Sequence, residues 1–113
     1  CEPRHASWFA APAQALLARH RIARCAADPA PVPAASLPSL AAAPLYWRWH
    51  GAPRIYYSSY AHTALQALAA TVRASHPDST PPPPERWVIF DNTAAGCATS
   101  NALELQRLLK NER

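Results

Sequence analysis
The sequence predicts an α/β fold in which parallel strands are joined by crossover helices. Three observations predict it. Short apolar runs alternate with stretches of helical periodicity, in the order β-α-β-(irregular)-β-α-β-α. One run, residues 45–50, is an unmistakable aromatic-rich strand. The strand-like runs end in polar residues, which is where parallel α/β folds gather functional groups.

Each element has a local reason. Residues 1–5 read as the tail of a strand and residues 6–9 as a turn. Pro12 suits the first turn of a helix that runs to about His20, with Leu16 and Leu17 as its apolar face. Residues 22–27 are short, small and mostly apolar, like a buried parallel strand, and stop at Asp28-Pro29. Residues 29–44 hold five prolines (29, 31, 33, 38 and 44) and no glycine, so they form neither a regular helix nor a central strand. An extended connection is expected there, with one short turn near 39–42.

The strand at 45–50 is broken by Gly51-Ala52-Pro53. Residues 56–60 lead into a helix over 61–75, where Leu65, Leu68, Ala69 and Val72 fall on one face. His76-Pro77 ends it, and residues 78–84, inside a proline-rich connection over 77–85, read as a surface loop. Residues 87–90 form a strand ending at Asp91-Asn92. A loop over 93–99 carries Gly96, and Ser100 or Asn101 leads into a last helix to about Leu109. Leu103, Leu105, Leu108 and Leu109 give it an apolar side, and Lys110 and Arg113 suit its C-terminal end.

Bulk properties narrow the classes of function. The formal net charge is +4, and ten of the eleven basic residues are Arg. They are scattered along the chain, unlike the clustered Lys/Arg of a nucleic-acid surface. Cys1, Cys25 and Cys97 have no metal-ligand spacing; an odd, widely spaced set fits reduced thiols and a cytoplasmic location. No apolar run approaches the roughly 18 residues of a membrane span. The chain starts at Cys1 without Met or a capping signal, and about four strands are too few to close a barrel of eight. The expectation is a C-terminal portion of one domain covering 1–113, whose partner is the rest of that domain.

Chemistry is expected at the strand ends. Side chains alternate along a strand, so Tyr46, Arg48 and His50 share one face while Leu45, Trp47 and Trp49 pack on the other. A mid-strand Arg among aromatics is costly unless paired, and Glu2 and Asp28 are its natural partners. Two readings of Arg48 stand side by side: an internal brace, or part of an anion-attracting site with Arg4, His5, His50 and Asn92. His50 is the acid/base candidate, its unperturbed pKa lying near neutrality. Asn92 and Asn101 could donate to an anion, and Asn101 could equally cap its helix. Tyr56, Tyr57 and Tyr60 could stack on a ring or pack. A metal held by Glu2, His5, Asp28 and His50 lacks compact ligand spacing, and no metal is expected. No glycine-rich phosphate loop is present, with Gly51 and Gly96 the only glycines.

Four motifs in order resemble the DUF72, or YecE-like, family. Glu2-Pro3-Arg4-His5-Ala6-Ser7-Trp8 resembles its E-x-R-H-x-S-W segment. Tyr46-Trp47-Arg48-Trp49-His50-Gly51 resembles its Y-x-R-x-H-G strand, and Arg54-Ile55-Tyr56-Tyr57-Ser58-Ser59-Tyr60 the R-x-Y-Y-S-x-Y stretch after it. Phe90-Asp91-Asn92, with Gly96, Ala98, Asn101 and Ala102, resembles its final strand and loop. Pro3 departs from the pattern, standing where an aromatic or apolar residue is usual. The resemblance implies a TIM-barrel-like (β/α) domain of roughly 250 residues, of which this chain supplies the last four or so βα units. The family has no settled activity. Its likeness to endonucleases and isomerases of the same barrel type points by analogy to phosphate-ester or nucleic-acid chemistry. The resulting expectation is a site of catalytic candidates His50, Arg48 and His5 with ligand-binding Glu2, Arg4, Asp28, Tyr57, Asn92 and Asn101. It would take a phosphate-bearing or other anionic ligand, with the cofactor unknown. The alternatives are a non-catalytic nucleic-acid-binding protein or an inactive truncated chain.

Overall fold
The structure is a computed structural model describing residues 1–75 and 82–111. Three strands form one parallel sheet of order β1-β2-β3: β1 (Ala26–Asp28), β2 (Leu45–Trp49) and β3 (Arg86–Phe90). β1 and β2 run in register with Ala26 opposite Trp47 and Asp28 opposite Trp49. Three helices accompany them: α1 (Ala11–Arg19), α2 (His62–Ala74) and α3 (Cys97–Asn111).

The chain divides into two compact units. The first comprises Cys1–Trp49 and Pro84–Ile89, the second His50–Pro83 and Phe90–Arg113. In the first unit, β2 is the central strand of the sheet, and its alternation is as expected over residues 45–48, whereas Trp49, expected to pack, is only half-buried, and His50, expected on the polar face, is buried. Leu45 and Trp47 are buried, whereas Tyr46 and Arg48 are only half-buried. In the second unit, Leu65, Leu68, Ala69 and Val72 of α2 are buried, as is Leu105 of α3, and the two helices pack together. Each fully buried Leu contributes on the order of 1.5–3 kcal/mol.

The structure departs from the sequence expectations in five places. Among the described residues there are three strands, not about four, because residues 1–5 are not a strand. Cys1 pairs alongside residues 23–25, its N–H donating to Ala23 O and its carbonyl accepting from Cys25 N. Pro3 has no N–H to continue that ladder, and His5 turns the chain by capping a 3-10 turn over Ala6–Phe9. β1 lies later than the expected 22–27, since the α1 terminus extends to Ile22, whose N–H bonds to Leu17 O. The short turn of the proline-rich connection is Pro33–Ser36, not 39–42, with Pro33 in its first turn. α3 begins at Cys97, directly after the positive-φ turn at Gly96, so Asn101 lies inside the helix and not at its cap. β3 starts one residue early, at Arg86. The stop expected at His76-Pro77 lies outside the described residues, as does most of the connection over 77–85.

Candidate functional site
Two clusters of polar side chains stand out, one in each unit. In the first unit an open pocket of about 460 Å³ is lined by Glu2, Arg21, Cys25, Tyr46 and Arg48 among others. β2 supplies Tyr46 and Arg48 from its outward-alternating positions. Arg21 arrives from the end of α1. There the Arg21 and Ile22 N–H groups bond back to Ala18 O and Leu17 O. This is a Schellman-type ending that places Arg21 at φ +53, in a conformation usually given to glycine.

Glu2 organises the pocket. Its carboxylate reaches Arg4 at 2.9 Å and Arg48 at 3.6 Å. This is the partner the sequence offered for a mid-strand Arg. The Cys25 thiol lies 3.7 Å from Glu2 Oε1 and 3.1 Å from Ala26 O. Burial, and then the adjacent Glu2 charge, push this thiol up to about 12, so it is held as the thiol and is a poor nucleophile.

Arg24, beside the pocket-lining residues in sequence, does different work. It is buried, donating from Nη1 to Leu37 O at 3.1 Å and Ala34 O at 3.4 Å, with its guanidinium 4.8 Å from the centre of the Phe9 ring. Burial lowers its pKa. Its backbone also exchanges bonds with Ser39, so one arginine ties down the proline-rich connection.

The second unit holds the His/Asn cluster. His50, 2% exposed, follows β2, and its Nδ1 stands 2.8 Å from both oxygens of Asp91, just past β3. The carboxylate can only accept, so Nδ1 donates and a neutral ring carries its lone pair on Nε2. A carboxylate that fixes one ring nitrogen sets the orientation of the other, as acid/base sites require.

Asn92 is completely buried. Its Nδ2 donates to Ser58 O at 2.9 Å and to Asn101 Oδ1 at 2.8 Å, while its Oδ1 has no donor among the described residues. Asn101 Oδ1 also accepts from Tyr60 N, and its Nδ2 donates to Tyr60 O and Ser59 Oγ. Tyr60 Oη accepts from Gly51 N at 2.9 Å, and its ring meets Phe90 edge-on. The result is a bracket that fixes the loop after β2 onto the N-terminal part of α3.

The structure therefore brings Glu2, Arg4 and Arg48 together in the first unit, and in the second it pairs Asn92 with Asn101 and His50 with Asp91. His5 is exposed, and its Nδ1 accepts from Ser7 N at 3.2 Å as a cap. Asp28 ends β1, in register with Trp49. Tyr57 is exposed with the Arg54 guanidinium stacked on it. Among the described residues no three His, Cys, Asp or Glu side chains form a metal-holding group. No helix of the described residues is long and apolar enough to cross a membrane. Sequence reasoning missed Arg21 and Cys25, which bear no motif, and the bracketing role of Tyr60. Asp91 was visible only as a polar strand end.

Similarity to known proteins agrees with this architecture. A DUF72 family protein from Thermotoga maritima has a similar structure, with a TM-score of 0.76 at 23% identity, over 96% of this chain and 44% of its own. Another from Enterococcus faecalis scores 0.67 at 19% identity, over 99% of this chain and 47% of its own. The chain thus spans a little under half the length of these structures, and at such identities the likeness speaks for the fold alone. No curated protein matches the chain. The sequence profile described as "Protein of unknown function DUF72" matches residues 1–113, all of them, and the chain belongs to that family.

Proposed function
We propose that the chain forms part of a TIM-barrel-like domain whose first-unit pocket binds a small phosphate-bearing or other anionic ligand. One observation carries this reading: Arg48, from mid-β2, and Arg21, held at positive φ after α1, line the same open pocket. Each guanidinium offers planar, always-charged donors matched to phosphate. Glu2 fixes Arg48 in place, which lowers the ordering cost of binding. The pocket's volume falls in the range of small-molecule sites. Parallel strands in consecutive order, and relatives about twice as long, support the barrel; its remaining βα units are the proposed partner of this chain. His50 with Asp91 is the acid/base pair available to such a domain.

Calorimetric titration with inorganic phosphate and with a mononucleotide tests the proposal. A hydrogen bond to a charged group is worth roughly 1.5–3 kcal/mol, so Arg48→Ala should weaken binding on the order of ten- to a hundredfold. Arg21→Ala should also weaken it, and Arg107→Ala, on exposed α3 surface, should not. Absence of binding, or binding indifferent to both pocket arginines, would remove the proposal.

A further inference from the structure
We propose that Tyr56 and Tyr57 form a stacking surface for a nucleobase, with Arg54 as its phosphate-facing cation. The surface lies in the second unit and does not rest on the first-unit pocket.

Tyr56 is the first observation. Its backbone stands at φ +70, a region that a residue with a bulky side chain enters at a cost and glycine enters freely. The backbone is clamped there at both ends. Tyr56 N donates to His50 O at 2.6 Å, and its carbonyl accepts from Ala94 N at 3.0 Å. Both bonds are main-chain, so glycine would keep them and relieve the strain. The ring contributes little to the fold in exchange. It is 53% exposed, and among the described residues no hydrogen bond or ring contact engages it. A strained backbone that displays an ordered, solvent-facing ring is the pattern of a residue retained for what it binds.

Tyr57 is the second observation. It is 47% exposed, and the Arg54 guanidinium lies 3.9 Å from its ring centre. No carboxylate pairs with Arg54 among the described residues. Arg54 therefore keeps its charge available beside the exposed Tyr57 ring, which it covers on one face. The loop that carries them is already ordered. Arg54 N donates to Ser58 Oγ, Tyr57 N and Ser58 N both donate to Arg54 O, and Asn92 Nδ2 holds Ser58 O. Little entropy remains to be lost on binding.

A ligand that answers all three features is flat, polarisable and attached to an anion. A nucleobase with its phosphate has that chemistry, and stacking on tyrosine tolerates any base. The base could come from a free nucleotide or from a single strand, and two probes separate these sources.

Binding of fluorescein-labelled oligodeoxythymidine, followed by anisotropy, and of AMP, followed by saturation-transfer NMR, tests the inference on the whole chain. At least one probe is expected to bind. AMP binding that Tyr56→Gly and Tyr57→Ala weaken assigns the free nucleotide. AMP binding that only Arg21→Ala weakens belongs to the first-unit pocket and overturns the inference for AMP. Oligonucleotide binding alone, falling with added salt, assigns the single strand. Tyr57→Ala and Tyr56→Gly should each weaken binding roughly ten- to a hundredfold, while Tyr57→Phe keeps it. Tyr56→Gly relieves backbone strain and should remain folded, which keeps the test interpretable. Arg54→Ala should weaken binding and reduce the salt slope by about one. Arg107→Ala, on exposed α3 surface, should leave binding unchanged, and loss on Tyr56→Gly and Tyr57→Ala separates this surface from the first-unit pocket. The inference is overturned if neither probe binds, if binding ignores Tyr56→Gly and Tyr57→Ala, or if the two tyrosines instead capture a protein while both probes fail.

Discussion

The pocket carries its own reporter in Cys25, and Glu2→Gln is the perturbation that reads it. A thiol ionises near 9.0 when unperturbed; here burial and then the neighbouring carboxylate push Cys25 up to about 12. At about pH 8 such a thiol holds roughly a thousandth of the ordinary thiolate population, and the thiolate is the species that reacts. Alkylation by iodoacetamide near that pH, read peptide by peptide with mass spectrometry, distinguishes the three cysteines. Cys1 is exposed, Cys97 is half-buried and Cys25 is buried, so the rates should fall in that order. Glu2→Gln removes the charge and leaves the burial, which is the larger cause. Cys25 should then react faster than in the parent chain and still more slowly than Cys1. The sign of the linkage follows. The folded thiol keeps its proton where the unfolded thiol begins to lose it. Stability from this group is therefore whole below about pH 9 and declines as pH climbs toward about 12. Native Cys25 reacting as fast as Cys1 would refute the burial account. A Glu2→Gln chain in which Cys25 became slower would refute the electrostatic one.

Three further outcomes are measurable by chemical denaturation. Trp47→Ala, at a fully buried position of β2, should cost about 3–5 kcal/mol. Trp47→Phe should cost much less, because the indole N–H has no acceptor among the described residues; equal losses would contradict that. Gly51→Ala combines φ +102 with a Cβ only 3.0 Å from Arg54 O and 3.3 Å from Asn92 Cβ, so a loss above about 1 kcal/mol is expected, and a neutral result would refute the packing. Asn101→Ala strips the acceptor from Tyr60 N and Asn92 Nδ2. At about 1–3 kcal/mol for each buried group left unpaired, it should destabilise more than any exposed α3 substitution such as Arg107→Ala.

Periodic features were legible in the sequence because periodicity is local. The two-residue alternation of β2 is enough by itself to put Leu45 and Trp47 inside and to turn Tyr46 and Arg48 toward the pocket. The helical spacing of Leu65, Leu68, Ala69 and Val72 does the same for α2. β1 was misplaced because a short apolar run does not distinguish a strand from a helix-terminating turn. Ile22, expected inside, is 42% exposed. Arg24 falls within the run 22–27 expected as a buried strand, and its guanidinium is satisfied by the Ala34 and Leu37 carbonyls, which the path of the connection brings near. Electrostatic reasoning succeeded for Glu2 and Arg48, since a charge in a strand demands a partner and few candidates exist. It could not foresee that Asn101 would serve as a bracket for Tyr60 and Asn92, because loop conformation decides which backbone groups need a partner.

Positive φ separates two kinds of position in this chain. Among the described residues four positions adopt it: Arg21, Gly51, Tyr56 and Gly96. Glycine occupies two of them, as conformational cost dictates. At Gly51 a Cβ would sit 3.0 Å from Arg54 O and 3.3 Å from Asn92 Cβ, so tight packing adds to the φ of +102 in favouring glycine. Arg21 and Tyr56 are the opposite case. Each bears the cost of a left-handed backbone while its main-chain bonds would survive replacement by glycine. Neither side chain compensates through burial, since Arg21 lines an open pocket and Tyr56 faces solvent. Both side chains are thus largely exposed despite the backbone cost, and these two positions lie at the proposed pocket and on the proposed aromatic surface.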